Sequence, residues 1–357
     1  MLDRPEIAFF GSSLLSAYWN GAATYYRGII SALNAIGYKT TFFEPDAYDR
    51  QRHLDIAPPD WAQVVVYKGE DGLSKSLEQA KKYGLVIKAS GVGVYDDILE
   101  KEIAALGSSS RMVAFWDVDA PATLQRISLD ASDYFRPLIP KYDMVFTYGG
   151  GHPVVTAYKS FGARDCFPIY NALDPSTHYP EPVREEFACR LCFLGNRLPD
   201  RETRVEEFFL KPASALPQYP FILGGNGWHN KPVPPNVKLL GHVYTKDHNA
   251  LNSSSMAVLN IERQSMAENG FSPPTRVFEA AGAAACLITD QWEGIGMFLE
   301  PGREALTASN GDEVAQIVSS LTQQEARKIG QAARKRVLSE HTYRHRALQF
   351  DAIVRAR

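Results

Sequence analysis

Short, continuously apolar runs alternate with helix-like segments along most of this chain, and no other feature constrains the fold as strongly. Runs at 7–10, 64–67 and 112–116 are examples from the first half, and helical patterns lie between such runs. Strands of this kind need cover on both faces, which a parallel sheet between two layers of helices provides. The alternation therefore predicts an α/β fold with a doubly wound parallel sheet.

The alternation occurs twice, which indicates two domains. A proline-rich segment at 168–182 separates the two series of apolar runs. Because 357 residues exceed what one ordinary core accommodates, we predict two Rossmann-like domains, at 1–175 and 176–338, and a closing helical segment at 339–357. Ligands of such sheets bind outside the carboxyl ends of the strands, so we expect a ligand in a cleft between the domains.

Charge and hydropathy narrow the possible partners. The net charge of −3 gives no reason to expect nucleic acid as a partner. Residues 321–357 carry a local excess of Lys and Arg, which could give weak contact with an anionic membrane surface but is more typical of a solvated helix face. The chain shows neither a membrane-spanning apolar run nor the apolar region of a signal peptide, so we expect a cytoplasmic protein.

One segment of the second half combines a helix start with two charged side chains. We expect Ser272 to cap a helix that opens with two prolines and continues through Thr275. Arg276 and Glu279 are three residues apart and share one face near the helix start, where an anion is favoured. A cation for phosphate and a carboxylate for sugar hydroxyls would suit a nucleoside diphosphate, although a surface Arg–Glu pair explains the same spacing.

Three loops at predicted strand ends in the first half offer further candidates. Gly11 and Ser12 follow the first strand and could lie against a phosphate or an acceptor. Asp117 leaves a buried strand together with Asp119, and we nominate Asp117 as a catalytic base and Asp119 as either a second acid or a helix cap. His152 follows three glycines and is the other catalytic candidate, although a lone histidine is more often structural.

Two loops of the second half complete the predicted nucleotide site. Gly195 and Asn196 follow a strand and precede Arg201, whose planar guanidinium could bind two oxygens of a diphosphate. Gly225 and Asn226 lie in a glycine-rich turn that would let the backbone approach a base or ribose. The chain lacks both the GxGxxG and the Walker sequences, which argues against dinucleotide oxidoreductases and P-loop NTPases.

Cysteines and histidines do not form a recognisable metal motif. Cys189 and Cys192 have CxxC spacing, but they lie within an apolar run without a second ligand pair, so we expect buried, reduced thiols. His341 and His345 are four residues apart without the glutamate of an HExxH motif. We therefore predict no metal site.

The motifs described so far give the chain a resemblance to a known family. The chain resembles the CgeB-like glycosyltransferases, which are spore-maturation-type proteins of the GT-B fold, and its second half is similar to the group-1 glycosyltransferase module. The resemblance is strongest over 272–290 and continues through 299–304 and 340–346. Fainter matches lie at 115–121, 142–148 and 194–201.

The resemblance implies transfer of a sugar from a nucleotide donor, most commonly a UDP-sugar, without a metal bound by a DxD motif. It also implies an acceptor-side first domain, a nucleotide-sugar-binding second domain, a last helix that crosses back to the first, and a Glu279 that holds the ribose. The EX7E pattern of related enzymes would place an acid at 271, where this chain has Phe271, and Glu268 is the alternative carboxylate. Two other functions stay open, namely a sugar-nucleotide epimerase of the same fold and a non-catalytic nucleotide- or sugar-binding module.

Overall fold

In the computed structural model, which describes residues 4–18 and 20–357, the chain forms two structural units. The first unit extends to Asn171 and also contains Tyr343–Arg357, whereas the second unit is Ala172–Thr342. Each unit has its own parallel sheet and its own buried apolar core. The chain thus leaves the first unit once and returns to it with its last helix.

The first unit contains a seven-stranded sheet in the order β3-β2-β1-β4-β5-β6-β7, and every neighbouring pair is parallel. The strands are β1 Ile7–Phe10, β2 Thr40–Pro45, β3 Gln63–Tyr67, β4 Leu85–Ala89, β5 Met112–Asp117, β6 Met144–Thr147 and β7 Cys166–Pro168. The helices are α1 Ala23–Ala35, α2 Gly69–Ala80, α3 Asp96–Ala105, α4 Ala120–Leu129, α5 Gly151–Ser160 and the last helix, α13 Tyr343–Arg355. The strand order reverses between β1 and β4, which is the switch point of a doubly wound sheet.

The last helix, α13, packs on the first unit through specific contacts. Asp351 accepts hydrogen bonds from Arg4 Nε at 2.8 Å and from the Tyr38 hydroxyl at 3.0 Å. A Cβ atom at Gly28 on α1 would lie 2.2 Å from the Tyr343 ring, so only glycine lets the two helices approach this closely. These contacts join residues more than 300 positions apart and fix the return of the chain.

The second unit contains a six-stranded parallel sheet in the order β10-β9-β8-β11-β12-β13. The strands are β8 Cys189–Leu194, β9 Phe221–Gly224, β10 Val237–Gly241, β11 Ser255–Asn260, β12 Leu287–Asp290 and β13 Leu306–Ala308. The helices are α6 Pro199–Val205, α7 Lys211–Ala215, α8 Thr245–Ser254, α9 Gln264–Asn269, α10 Thr275–Gly282, α11 Gly311–Ser320 and α12 Gln323–Glu340. The order of this sheet reverses between β8 and β11.

The predicted α/β fold class with doubly wound parallel sheets is confirmed. The two strands without a sequence prediction, β7 and β13, are three residues long and lie at the edges of their sheets. Short edge strands carry little apolar periodicity, which explains why the pattern did not indicate them.

All four cysteines are buried and unpaired, and no helix in the described part of the chain is long and apolar enough to cross a bilayer.

Candidate functional site

The second unit brings a set of predicted residues together at the carboxyl edge of its sheet, at the switch point between β8 and β11. Arg276, in the first turn of α10, donates from Nε to the Leu194 carbonyl at the end of β8 at 2.8 Å. It also donates from Nη1 to Asn260 Oδ1 at the end of β11 at 2.8 Å. The Arg276 guanidinium lies 4.8 Å from the Phe193 ring centroid. Arg276 therefore bridges the two strands at the position where ligands of doubly wound sheets bind.

A second guanidinium approaches the same point. A Cβ atom built on Gly195 would lie 3.1 Å from both Arg201 Nη1 and Arg276 Nη2, so the two cations converge over this glycine. Neither arginine forms an ion pair with a carboxylate in the part of the chain that the structure describes, and Arg201 Nε has no hydrogen-bond partner there. Burial, with a smaller contribution from the Arg276 charge, lowers the pKa of Arg201 to about 10. Two incompletely neutralised cations at one point favour a bound anion.

The two glycine-containing loops of the prediction lie against each other beside these cations. Asn196 Oδ1 accepts from the Asn226 backbone N–H at 2.9 Å, and Gly195 N–H donates to the Gly224 carbonyl at 3.0 Å. Gly225 has a φ of +120°, and a Cβ atom there would lie 2.2 Å from the Gly195 carbonyl oxygen. Glycine at 225 is therefore required by backbone contact between the loops.

Two buried acids, which the sequence analysis did not single out, also lie at the carboxyl edge of this sheet. Asp290, at the end of β12, accepts from the Glu262 backbone N–H through both of its oxygens and pairs with Arg204. Both carboxyl oxygens of Glu262 are buried and lack a hydrogen-bond partner among the described residues. Burial and the nearby Asp290 carboxylate raise the pKa of Glu262 well above its usual range, which favours its protonated form.

Glu279 lies one turn further along α10 and has histidine neighbours. Its Oε1 is 4.0 Å from His178 Nε2, and His248 is close enough for all three side chains to form one cluster. Burial raises the pKa of Glu279, but His178, His248 and Arg276 outweigh that effect and lower it overall. Arg276 and Glu279 make no ion pair with each other, so the alternative of a surface pair is not observed.

The start of α10 differs from its prediction. The helix begins at Thr275, and its N-cap position is Pro274, which provides no side-chain hydrogen bond. Ser272 is buried and donates its hydroxyl to the Gly270 carbonyl at 3.1 Å, so the predicted Ser272 cap is wrong. The helix begins three residues after Ser272, whereas a capping residue directly precedes the first helical residue. The Val277 N–H donates to the Pro274 carbonyl at 3.1 Å, whereas the amides before it lack a side-chain cap among the described residues, which leaves them able to bind an anion.

In the first unit, the carboxylate of Asp117 is held by several hydrogen bonds. Asp117 is fully buried, and its carboxylate accepts hydrogen bonds from the Ser90 hydroxyl at 2.7 Å, the Asp119 backbone N–H at 3.0 Å and the Tyr158 hydroxyl. Its oxygens thus hold the ends of two strands and a neighbouring helix together. These bonds give Asp117 a structural role in this loop, and its assignment as a catalytic base stays a prediction.

The other candidates of the first unit also lie at strand ends. Ser12 is buried and donates its hydroxyl to Asn20 Oδ1 at 2.8 Å. A Cβ atom at Gly11 would lie 2.4 Å from the Phe42 ring, so both residues contribute to local packing, and their contact with a phosphate or an acceptor stays a prediction. His152 is exposed in the first turn of α5 and stays a predicted catalytic residue.

The sequence analysis missed five residues of the second unit that contribute to this site: Asn260, Glu262, Asp290, His178 and His248. Three of them follow or end a predicted buried strand, so the rule that ligands lie at carboxyl ends could have identified them. The histidines lie in a connecting segment and on a helix, and no local spacing links them.

The comparisons with known proteins agree with this fold. Residues 201–352 match a family described as glycosyl transferase-like. The structure of HepE (Alr3699) from Anabaena in complex with UDP and glucose is 15% identical, with a TM-score of 0.69 over 99% of this chain and 100% of that chain. Sucrose-phosphate synthase from Thermosynechococcus elongatus is 14% identical, with a TM-score of 0.66 over 99% of each chain. The chain therefore has the GT-B glycosyltransferase fold. No curated protein sequence matches significantly.

Proposed function

We propose that the chain is a glycosyltransferase that moves a sugar from a nucleoside diphosphate donor to an acceptor. The observation that carries this proposal is the convergence of Arg201 and Arg276 over Gly195, at the switch point of the second sheet. Two planar guanidinium groups without paired carboxylates suit the several oxygens of a diphosphate. The UDP in the HepE structure supports uridine as the first donor base to test.

The neighbouring residues of α10 fit the rest of such a donor. The uncapped amides of the first turn, including that of Thr275, would donate to a phosphate oxygen. Glu279 has a lowered pKa and is therefore ionised at neutral pH, so its oxygens can accept from the ribose hydroxyls. Gly225 and Asn226, at the end of β9, are placed to approach the base through their backbone.

The main contribution of these residues to catalysis would be stabilisation of the leaving nucleoside diphosphate. Negative charge grows on the diphosphate as the glycosidic bond to the sugar breaks, and preorganised cations lower the energy of that state. Phe271 replaces an acid of the related pattern, and Glu268 is exposed and bonded to Gln264. The stereochemical outcome is therefore not assigned, and the acceptor-side role of the first unit stays a prediction.

The proposal is tested by comparing UDP with UMP in isothermal titration calorimetry and by assaying UDP release from UDP-sugars. Because the β-phosphate adds charge-assisted hydrogen bonds worth about 1.5–3 kcal/mol each, UDP is expected to bind at least about 10-fold more tightly than UMP. Equal affinity for the two nucleotides would contradict the diphosphate site. Donor binding without UDP release would favour a binding module, and conversion of the sugar without an acceptor would favour an epimerase.

Several finer expectations stay predictions. They are the CgeB-like subtype, hexosyl transfer, reaction without a DxD-bound metal, the cytoplasmic location and weak membrane contact through the basic C-terminal segment. An assay over a panel of UDP-sugars with and without a chelator would test the sugar and the catalytic metal requirement together.

A further inference from the structure

Three potential metal ligands converge in the second unit. His178 comes from the segment between β7 and β8, His248 from α8 and Glu279 from α10. One ligand atom from each lies within 4.8 Å of the other two, and no other group of three His, Cys, Asp or Glu residues within 4–18 and 20–357 meets this condition. The cluster thus joins three segments that are distant in sequence.

Two imidazole nitrogens of this cluster lack partners. His178 is 6% exposed, and its Nε2 has no hydrogen-bond partner among the described residues although it lies 4.0 Å from Glu279 Oε1. His248 Nδ1 is likewise buried without a described partner. A buried nitrogen without a protein partner costs free energy, so its presence in a folded protein calls for an explanation, and a bound ion provides one.

In each of the two rings, the other nitrogen has a hydrogen-bond contact that fixes the orientation of the ring. His248 Nε2 lies 3.2 Å from the Val243 carbonyl, which can only accept, so Nε2 carries the hydrogen and Nδ1 keeps the lone pair. His178 Nδ1 lies 3.0 Å from Thr177 Oγ1, which leaves Nε2 for another partner. A hydrogen bond on the second nitrogen is the usual arrangement around metal-ligating histidines.

The segments that carry the ligands are also joined to one another. Asn249, next to His248 on α8, donates to the Thr177 carbonyl at 2.9 Å and accepts from the Tyr179 N–H at 3.3 Å. On α10, a Cβ atom at Gly282 would lie 2.9 Å from the His178 carbonyl oxygen, so glycine allows this helix to pack closely against the His178 segment. The three ligands are therefore held by a fixed framework.

From this arrangement we propose that His178, His248 and Glu279 bind a divalent metal ion of the Zn²⁺ type. Two histidines and one carboxylate are a known ligand set for zinc, and they leave a fourth position open. Ligands of one tetrahedral zinc ion lie about 3.4 Å apart at bond lengths near 2.05 Å. The 4.0 Å between His178 Nε2 and Glu279 Oε1 requires a closure of about half an ångström, and the 4.8 Å limit for the whole set requires at most about 1.4 Å, which side-chain rotation supplies.

Such an ion would share Glu279 with the nucleotide. Glu279 is the residue that we propose for the ribose, so metal and UDP are expected to compete, and this consequence alone rests on the proposed function. Binding of the ion to the nucleotide-free chain does not depend on the proposed function. The metal would thereby limit donor binding.

The test is a titration of the nucleotide-free, full-length chain with Co²⁺, followed by its visible absorption, and then displacement by Zn²⁺. We expect one ion per chain with the bands of tetrahedral cobalt. His248→Ala and Glu279→Gln are each expected to weaken binding at least about 100-fold, since loss of a ligand exceeds the loss of an outer contact. His229→Ala removes an exposed histidine outside the cluster and is expected to bind as the unmodified chain does.

Thermal unfolding of each variant without metal checks that it is folded. If the Glu279→Gln variant does not fold, the His248→Ala variant still tests the proposal. A chain that binds no Co²⁺, or a folded His248→Ala variant that binds it with unchanged affinity, would overturn the proposal. Calorimetry with UDP separates the two hypotheses, because metal binding without UDP binding refutes only the nucleotide site. UDP binding without metal binding refutes only the metal site.

Discussion

Replacement of Arg276 by alanine is expected to weaken UDP binding by about 10- to 100-fold, because a buried charge-assisted hydrogen bond contributes about 1.5–3 kcal/mol. Arg276 Nη2 points toward Gly195 together with Arg201, while the other nitrogens of Arg276 are held by Leu194 and Asn260. The cation is thus positioned before the ligand arrives, and calorimetry with UDP measures the loss directly.

Two variants control this measurement. Arg303→Ala removes an arginine whose side chain is 72% exposed and paired with Glu300, and it is expected to leave UDP affinity unchanged. Arg276→Lys keeps the charge but cannot bridge Leu194 and Asn260, so we expect an intermediate loss. If the folded Arg276→Ala variant bound UDP like the unmodified chain, Arg276 would not be part of the donor site.

Replacement of Gly225 by alanine is expected to produce a large loss of stability. The residue has a φ of +120°, and the added Cβ would lie 2.2 Å from the Gly195 carbonyl oxygen, which belongs to the backbone and cannot rotate away. Backbone strain and overpacking each cost about 1–3 kcal/mol, so we expect the free energy of unfolding to fall by at least about 3 kcal/mol. Urea denaturation of the full-length chain measures the change.

Gly302→Ala is the matched control for this substitution. Gly302 has a φ of +81°, and a Cβ atom there meets nothing within 4 Å, so alanine adds only the conformational cost of about 1 kcal/mol. A similar loss in the two variants would show that the contact between the 195 and 225 loops is weaker than the structure indicates.

The fold could be predicted because its signals are local. Apolar runs such as those of β1 and β5 are buried along most or all of their length, which demands a covered parallel sheet. The return of α13 to the first unit could not be predicted from local signals. The Arg4–Asp351 and Gly28–Tyr343 contacts join distant parts of the chain and leave no local pattern in the sequence. That feature was expected only from the family resemblance.

The candidate site was predictable where it consists of strand ends and a helix start. Gly195, Arg201 and Arg276 lie together as the position of their segments in a parallel sheet requires. Asp117 follows the same rule but points into the core, because Ser90 and Tyr158 bind its oxygens. A strand-end position therefore indicates where a residue lies in the sheet, whereas the direction of its side chain depends on packing that the sequence does not display.

The central claim is that Arg201 and Arg276 bind a diphosphate at the switch point of the second sheet. A crystal structure of the chain with UDP tests it most directly. We predict the β-phosphate within hydrogen-bond distance of both guanidinium groups, above Gly195, with the ribose beside Glu279. UDP bound elsewhere, or bound here with both arginines turned away from its phosphates, would contradict the account.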